Sequence, residues 1–149
     1  INSHSVLISN DEKSACLHPK GDGYFETHAI RCDRSLRSNA YTYWEIKLSN
    51  FNGTSVMIGI GDENSKLHSI GYLDLIGINQ SSWGLSIKGH TQHNQIVNQS
   101  YCCNNYSNED ESDLVVGCIF DGFKGRLGFY LNGEFKGFAY ENIPTNLVL

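Results

Sequence analysis

Chemistry needs side chains of the right type within a few ångströms of one another, and the first candidates in this chain are its six histidines and five cysteines. The densest grouping is His90-x-x-His93 followed by Cys102-Cys103. A closed zinc site draws its thiolates from a Cys-x-x-Cys knuckle, whereas adjacent cysteines in an extended strand point to opposite faces. We therefore expect no metal and no cofactor. A Cys–His hydrolase is equally unsupported, because no cysteine sits at a strand-to-helix elbow or helix N-terminus that would lower its pKa. Gly59-x-Gly61 lacks the third glycine and the following helix of a phosphate loop, and reads as a turn at a strand end. With no nucleophile, acid–base pair or phosphate cradle in view, the pattern points to binding and not to an enzyme.

Size and composition narrow the binding classes. A chain of 149 residues is about one domain long and can bury roughly 70% of its extended-state surface without a metal or disulfide staple. Net charge is −5, and lysines and arginines are scattered, so there is no electrostatic footprint for nucleic acid. No window approaches the roughly 18 apolar residues of a membrane span. Cys16, Cys32, Cys102, Cys103 and Cys118 are odd in number and unevenly spaced, unlike a disulfide framework. Cys118 lies in an apolar run where a free thiol packs as a small hydrophobe. A reducing, cytoplasmic or nuclear setting and a monomer are expected. Four Asn-x-Ser/Thr sequences, at Asn52, Asn79, Asn98 and Asn105, would suit secretion, but with 15 Asn and 21 Ser plus Thr random placement alone yields about two.

The elements that must position any binding surface are short strands. Val6 to Ile8, Ala15 to Leu17, His28 to Arg31, Tyr41 to Leu48, Ser55 to Ile60, Trp83 to Ile87, Leu114 to Phe120, Leu127 to Leu131 and Phe135 to Tyr140 are strand-prone and separated by Gly, Asn, Asp and Ser. No segment holds a 3.6-residue apolar period for three turns. From Tyr43 to Leu48 the residues alternate, placing Trp44, Ile46 and Leu48 on one face, which should look inward. Trp83 is also expected in the core. Leu114 to Phe120 is continuously apolar, as in a strand buried on both sides. Asn132-Gly133 after Leu127 to Leu131 is a type I′ hairpin signal, since both central residues of that turn need positive φ. Asn104 to Asp113 reads as an exposed acidic loop. The sum is an all-β antiparallel sandwich.

The run Asp121-x-x-x-Gly125-x-Leu127-x-Phe129-Tyr130-x-Asn132-Gly133, with Tyr43-Trp44-Glu45-Ile46-Lys47 upstream, resembles the SPRY domain, the core of the B30.2 family. Leu67-His68-Ser69-Ile70-Gly71-Tyr72-x-x-Leu75-Ile76-Gly77-x-Asn79 and Ser82-Trp83-Gly84 are most similar to the SPRY domain and SOCS-box family, substrate receptors of cullin-RING ubiquitin ligases. The resemblance implies a bent, concanavalin-like β-sandwich occupying 1–149. The family's closing strand and any SOCS box, which recruits elongins and a cullin, would lie beyond Leu149. It further implies that a short Asn-rich peptide is bound in a shallow cleft built from loops. By motif, Thr54 in Asn52-Gly53-Thr54, Tyr72 and Leu75 in Gly71-Tyr72-x-x-Leu75, and Pro19 in His18-Pro19 stand at the contacting positions. Leu17 stands where peptide-binding members carry Arg, which removes a donor-rich guanidinium and shifts the motif that can be read.

The expected function is thus a non-catalytic interaction module with a protein or peptide partner, elongin–cullin recruitment depending on a SOCS box downstream. A SPRY scaffold subunit of another complex and a lectin-like sandwich binding carbohydrate are the alternatives that the same pattern leaves open.

Overall fold

The computed structural model describes residues 6–18, 26–49, 51, 55–102 and 113–144. Pro19, Thr54, Cys103, the glycosylation sequences at Asn52 and Asn105, and residues 104–112 of the acidic segment lie outside them. The described residues form strands and turns with no helix: β1 (Val6–Ile8), β2 (Ala15–Leu17), β3 (Glu26–His28), β4 (Tyr41–Leu48), β5 (Met57–Gly61), β6 (His68–Ile70), β7 (Ser82–Ser86), β8 (Thr91–His93), β9 (Ile96–Asn98), β10 (Leu114–Asp121), β11 (Arg126–Leu131) and β12 (Glu134–Tyr140). One four-stranded antiparallel sheet has the order β12-β11-β10-β4 and a second the order β5-β7-β8-β9, while β1-β2 and β3-β6 form separate two-stranded ribbons.

Side-chain alternation makes one face of each sheet the core. In the first sheet Cys118 is paired with both Trp44 and Phe129, and Val116 with both Ile46 and Leu131. Leu114, Val116, Cys118, Phe120, Leu127 and Phe129 are all at most 1% exposed, each large one worth roughly 1.5–3 kcal/mol of burial. The second sheet answers with Ile58, Ile60, Trp83 and Leu85. Trp44, Ile46 and Leu48 pack against this core while remaining half-buried. The expectation that β10 is buried on both sides needs correction: Val115 and Ile119 on its second face are only half-buried. That face is covered by aromatic side chains instead of by another sheet, with Tyr43 and Tyr130 meeting edge to face at 5.6 Å.

Two tyrosine hydroxyls link distant parts of the fold. The Tyr140 hydroxyl, on β12, lies 2.7 Å from the Gly84 carbonyl and 2.8 Å from that of Gln92 in the opposite sheet. Burial pushes its pKa up to about 12. Tyr101 donates to the Gly137 carbonyl at 2.6 Å, beside the irregular pairing of β11 with β12.

The hairpin predicted at Asn132-Gly133 is present, with φ of 47° and 84° as a type I′ turn requires. The Asn132 side chain also accepts a hydrogen bond from the Val115 amide at 2.9 Å, fixing the turn to β10. Gly59 and Gly61, by contrast, belong to β5 and do not form a turn. Strands β6, β8 and β9 do not figure among the expected strands, because each is only three residues long, too short for alternation to show, and is held by pairing with its neighbours.

The other turn of the terminal meander is built on Asp121, which is 0% exposed. Its carboxylate accepts hydrogen bonds from the amides of Phe123 and Lys124, both at 3.1 Å, and from the Arg126 guanidinium at 2.8 Å. Burial alone would raise its pKa, but the Arg126 bond and the two amides outweigh that and hold it below the ordinary value of 3.8. Because the folded pKa is depressed, the stability Asp121 contributes is fully present above 3.8 and is lost as pH falls from there through the lower folded-state value. In Asp121→Asn this part of the acid limb should be missing from a plot of melting temperature against pH, and the neutral-pH melting point should fall because Arg126 loses its partner.

Candidate functional site

Where β6 passes into the loop from Gly71 to Ser81, before β7, apolar side chains stand at the surface: Ile70 is 79% exposed, Tyr72 64% and Leu73 42%. Such a loop would be mobile unless tied down, and two hydrogen-bonded links tie it. On one side Thr27 of β3 donates its hydroxyl to the Gly71 carbonyl at 2.8 Å and accepts from the Leu73 amide at 3.2 Å, clamping the backbone on both sides of Tyr72. On the other, the Ser55 hydroxyl donates to the Asp74 carboxylate at 2.5 Å. Ser55 follows Thr54 directly in sequence, and its bond to Asp74 joins the strand entrance at β5 to the Tyr72 loop.

Leu75 is 3% exposed, which corrects the expectation that it offers surface beside Tyr72. It lies at the floor of a small open hollow of about 40 Å³ shared with Ile30, Arg31, Ile60 and Lys66, and anchors the loop from below. Pockets that enclose a drug-sized ligand are roughly 300–1,000 Å³, so the hollow suits a side chain laid on the surface.

Leu17, at the end of β2, is 43% exposed. Its neighbour His18 meets His28 edge on at 5.1 Å between ring centres, and His28 meets His68 at 4.8 Å. This chain of rings links the Leu17 end of the β1-β2 ribbon to β6 and so to the Tyr72 loop. Structure thus associates Leu17 and Tyr72 through intervening rings; Pro19 and Thr54 flank this region in sequence but lie outside the described residues. Ile70 was not legible as a surface residue, since only the pairing of β6 with β3 turns it outward.

Two described members of the His90-x-x-His93 and Cys102-Cys103 grouping are engaged elsewhere. His93 Nδ1 is 2.8 Å from the Ser82 carbonyl oxygen and its ring stacks on Trp83 at 4.5 Å, while Cys102 donates its thiol to the Gly89 carbonyl. Burial pushes the Cys118 thiol up to about 12, which suits a packing residue and not a nucleophile.

Fold and site together define an antiparallel β-sandwich with a clamped, aromatic-bearing loop at one edge. The SPRY domain family matches residues 41–149. Among known proteins, SPRY domain-containing SOCS box protein 3 of Xenopus tropicalis is 31% identical over 140 residues, covering 92% of this chain and 36% of that protein. F-box/SPRY domain-containing protein 1 of Drosophila yakuba is 30% identical over 119 residues, covering 79% of this chain and 46% of that protein. The chain belongs to the SPRY domain family. It spans between about a third and a half of the length of these relatives.

Proposed function

We propose that this domain is a non-catalytic recognition module that holds a short peptide, Asn-rich in the pattern of its family, across the Tyr72 loop, the Leu17-His18-Pro19 segment and the Asn52-Gly53-Thr54 loop. The observation that carries the reading is the double clamp of Thr27 and of Ser55 with Asp74 on an exposed tyrosine loop, because a preordered contact surface loses less entropy on binding. Tyr72 is the anchor and Leu75 its support. In place of a guanidinium, Leu17 offers apolar contact, favouring a peptide with an apolar side chain at that point.

The relatives' names pair an SPRY domain with a SOCS box in one case and an F-box in the other. In the whole protein the module accordingly serves as the substrate-recognition part of a ubiquitin ligase, in the cytoplasm or nucleus, as a monomer.

An array of Asn-containing peptides probed with the domain, followed by fluorescence polarisation of the best binder, tests the reading. Tyr72→Ala should weaken binding by roughly 30-fold, the effect of losing a hot spot of about 2 kcal/mol. Unchanged affinity in that variant would remove the cleft from this loop, and a response on a glycan array with none on peptides would favour a lectin-like module.

A further inference from the structure

The β3-β6 ribbon carries a second constellation that the peptide reading leaves unused. Its register pairs His28 directly with His68 and Glu26 with Ile70. Alternation along β3 puts Glu26 and His28 on the same face, so the backbone itself delivers two imidazoles and a carboxylate to one spot. Glu26 Oε2 is 3.6 Å from His28 Nε2 and 3.5 Å from His68 Nε2, and the three donor atoms all lie within 4.8 Å of one another.

These separations are too long for hydrogen bonds, whose N···O distances run to about 3.2 Å. They match instead the edges of a coordination polyhedron: donors at about 2.0–2.1 Å from a tetrahedral zinc ion are about 3.4 Å apart. The His28 side chain is 9% exposed, and on the far side of its ring Nδ1 has no hydrogen-bond partner among the described residues, nor has the buried Nδ1 of neighbouring His18, so no fixed partner opposes the tautomer that leaves the His28 Nε2 lone pair to an ion. Glu26 and His68 are about half exposed, at 45% and 50%, which leaves an open path for an ion and freedom for the His68 ring to close the last edge.

We propose that Glu26, His28 and His68 bind one divalent transition-metal ion of the zinc class, with the His18 ring beside His28. Neutral imidazole with one carboxylate is a donor set that such ions favour over calcium or magnesium, which take oxygen ligands. The ion would staple a ribbon of two three-residue strands that stands apart from both main sheets and would be marginal alone. Because Thr27 sits between two of the ligands and clamps the Tyr72 loop, metal binding stiffens that loop as well. The site itself stands independently of what the loop recognises.

Cobalt(II) is the probe, titrated into tag-free, chelator-treated domain and followed by its ligand-field absorption, then displaced with zinc. One cobalt per chain with the intense visible bands of a tetrahedral or five-coordinate site is expected. His68→Ala and Glu26→Gln, both half-exposed positions whose far-UV circular dichroism should match the parent's, should each weaken binding by at least about 100-fold, beyond the 10–100-fold typical of a residue that only supports a ligand. His90→Ala, outside the cluster, should leave affinity unchanged. Binding unaffected by His68→Ala and Glu26→Gln, thiolate-to-cobalt charge-transfer bands that place the ion on cysteines, or no binding at micromolar cobalt would each overturn the proposal.

Discussion

Replacing Phe129 with alanine should lower the stability of this domain by about 3–5 kcal/mol, the range for emptying a fully buried phenylalanine site. Phe129 is 0% exposed and sits at the centre of β11, beside Cys118 in the register of the first sheet. Tyr101 meets its ring edge to face at 6.1 Å, and Tyr101 in turn bonds to Gly137 of β12. The cavity would therefore remove hydrophobic burial and also loosen an aromatic contact that holds the edge strand. Collapse around the gap is restricted, because its neighbours belong to strands pinned by hydrogen-bonded ladders. For a chain of this size the expected loss corresponds to roughly 6–20 °C in melting temperature, read from thermal unfolding by circular dichroism. A variant melting within about 2 °C of the parent would show that the two sheets do not close over this residue.

Gly59→Ala should cost about 3 kcal/mol, the upper end for overpacking, although it adds a single methyl group. Gly59 pairs with Gly84 across β5 and β7. A Cβ at Gly59 would lie 1.9 Å from the Trp83 carbonyl oxygen and 2.9 Å from the Gly84 Cα. Both are backbone atoms in a paired strand, so no rotamer change relieves the contact and the strands must part. Gly133→Ala is the informative comparison. Nothing lies within 4 Å of its added Cβ, and only its φ of +84° opposes the substitution, at about 1 kcal/mol. Equal losses in the two variants would mean that the close approach of β5 and β7 is not as described.

Much of this fold was legible in the chain because its determinants are local. β1, β2 and β4 coincide with the strands read from the sequence, and β10, β11 and β12 differ from them by one residue at one end. In those segments β-branched and aromatic residues, alternation and turn residues all agree. Asn132-Gly133 needed no tertiary information, since its turn type follows from the φ angles its residues tolerate. The three-residue strands β6, β8 and β9 are too short to show alternation, and Glu26–His28 formed a strand where His28 to Arg31 was expected. In each case the partner strand, and not intrinsic propensity, set the boundary.

The candidate site divides in the same way. That Tyr72 lies on a loop beside glycine could be read directly, as could the resemblance that singled it out. That Leu75 faces inward could not, because four residues of loop have no fixed period from which to infer direction.

By itself, then, the sequence determined a β-sandwich of the SPRY family and its principal core residues, because composition, alternation and turn chemistry act over a few neighbouring residues. Only the tertiary structure decided what stands next to the Tyr72 loop. Thr27 reaches Gly71 across 44 residues of chain, Ser55 meets Asp74 across 19, and His28 faces His68 through strand register. Those juxtapositions arise from pairing between distant segments, whose partners are chosen by the burial of the whole core and not by any residue's own preference.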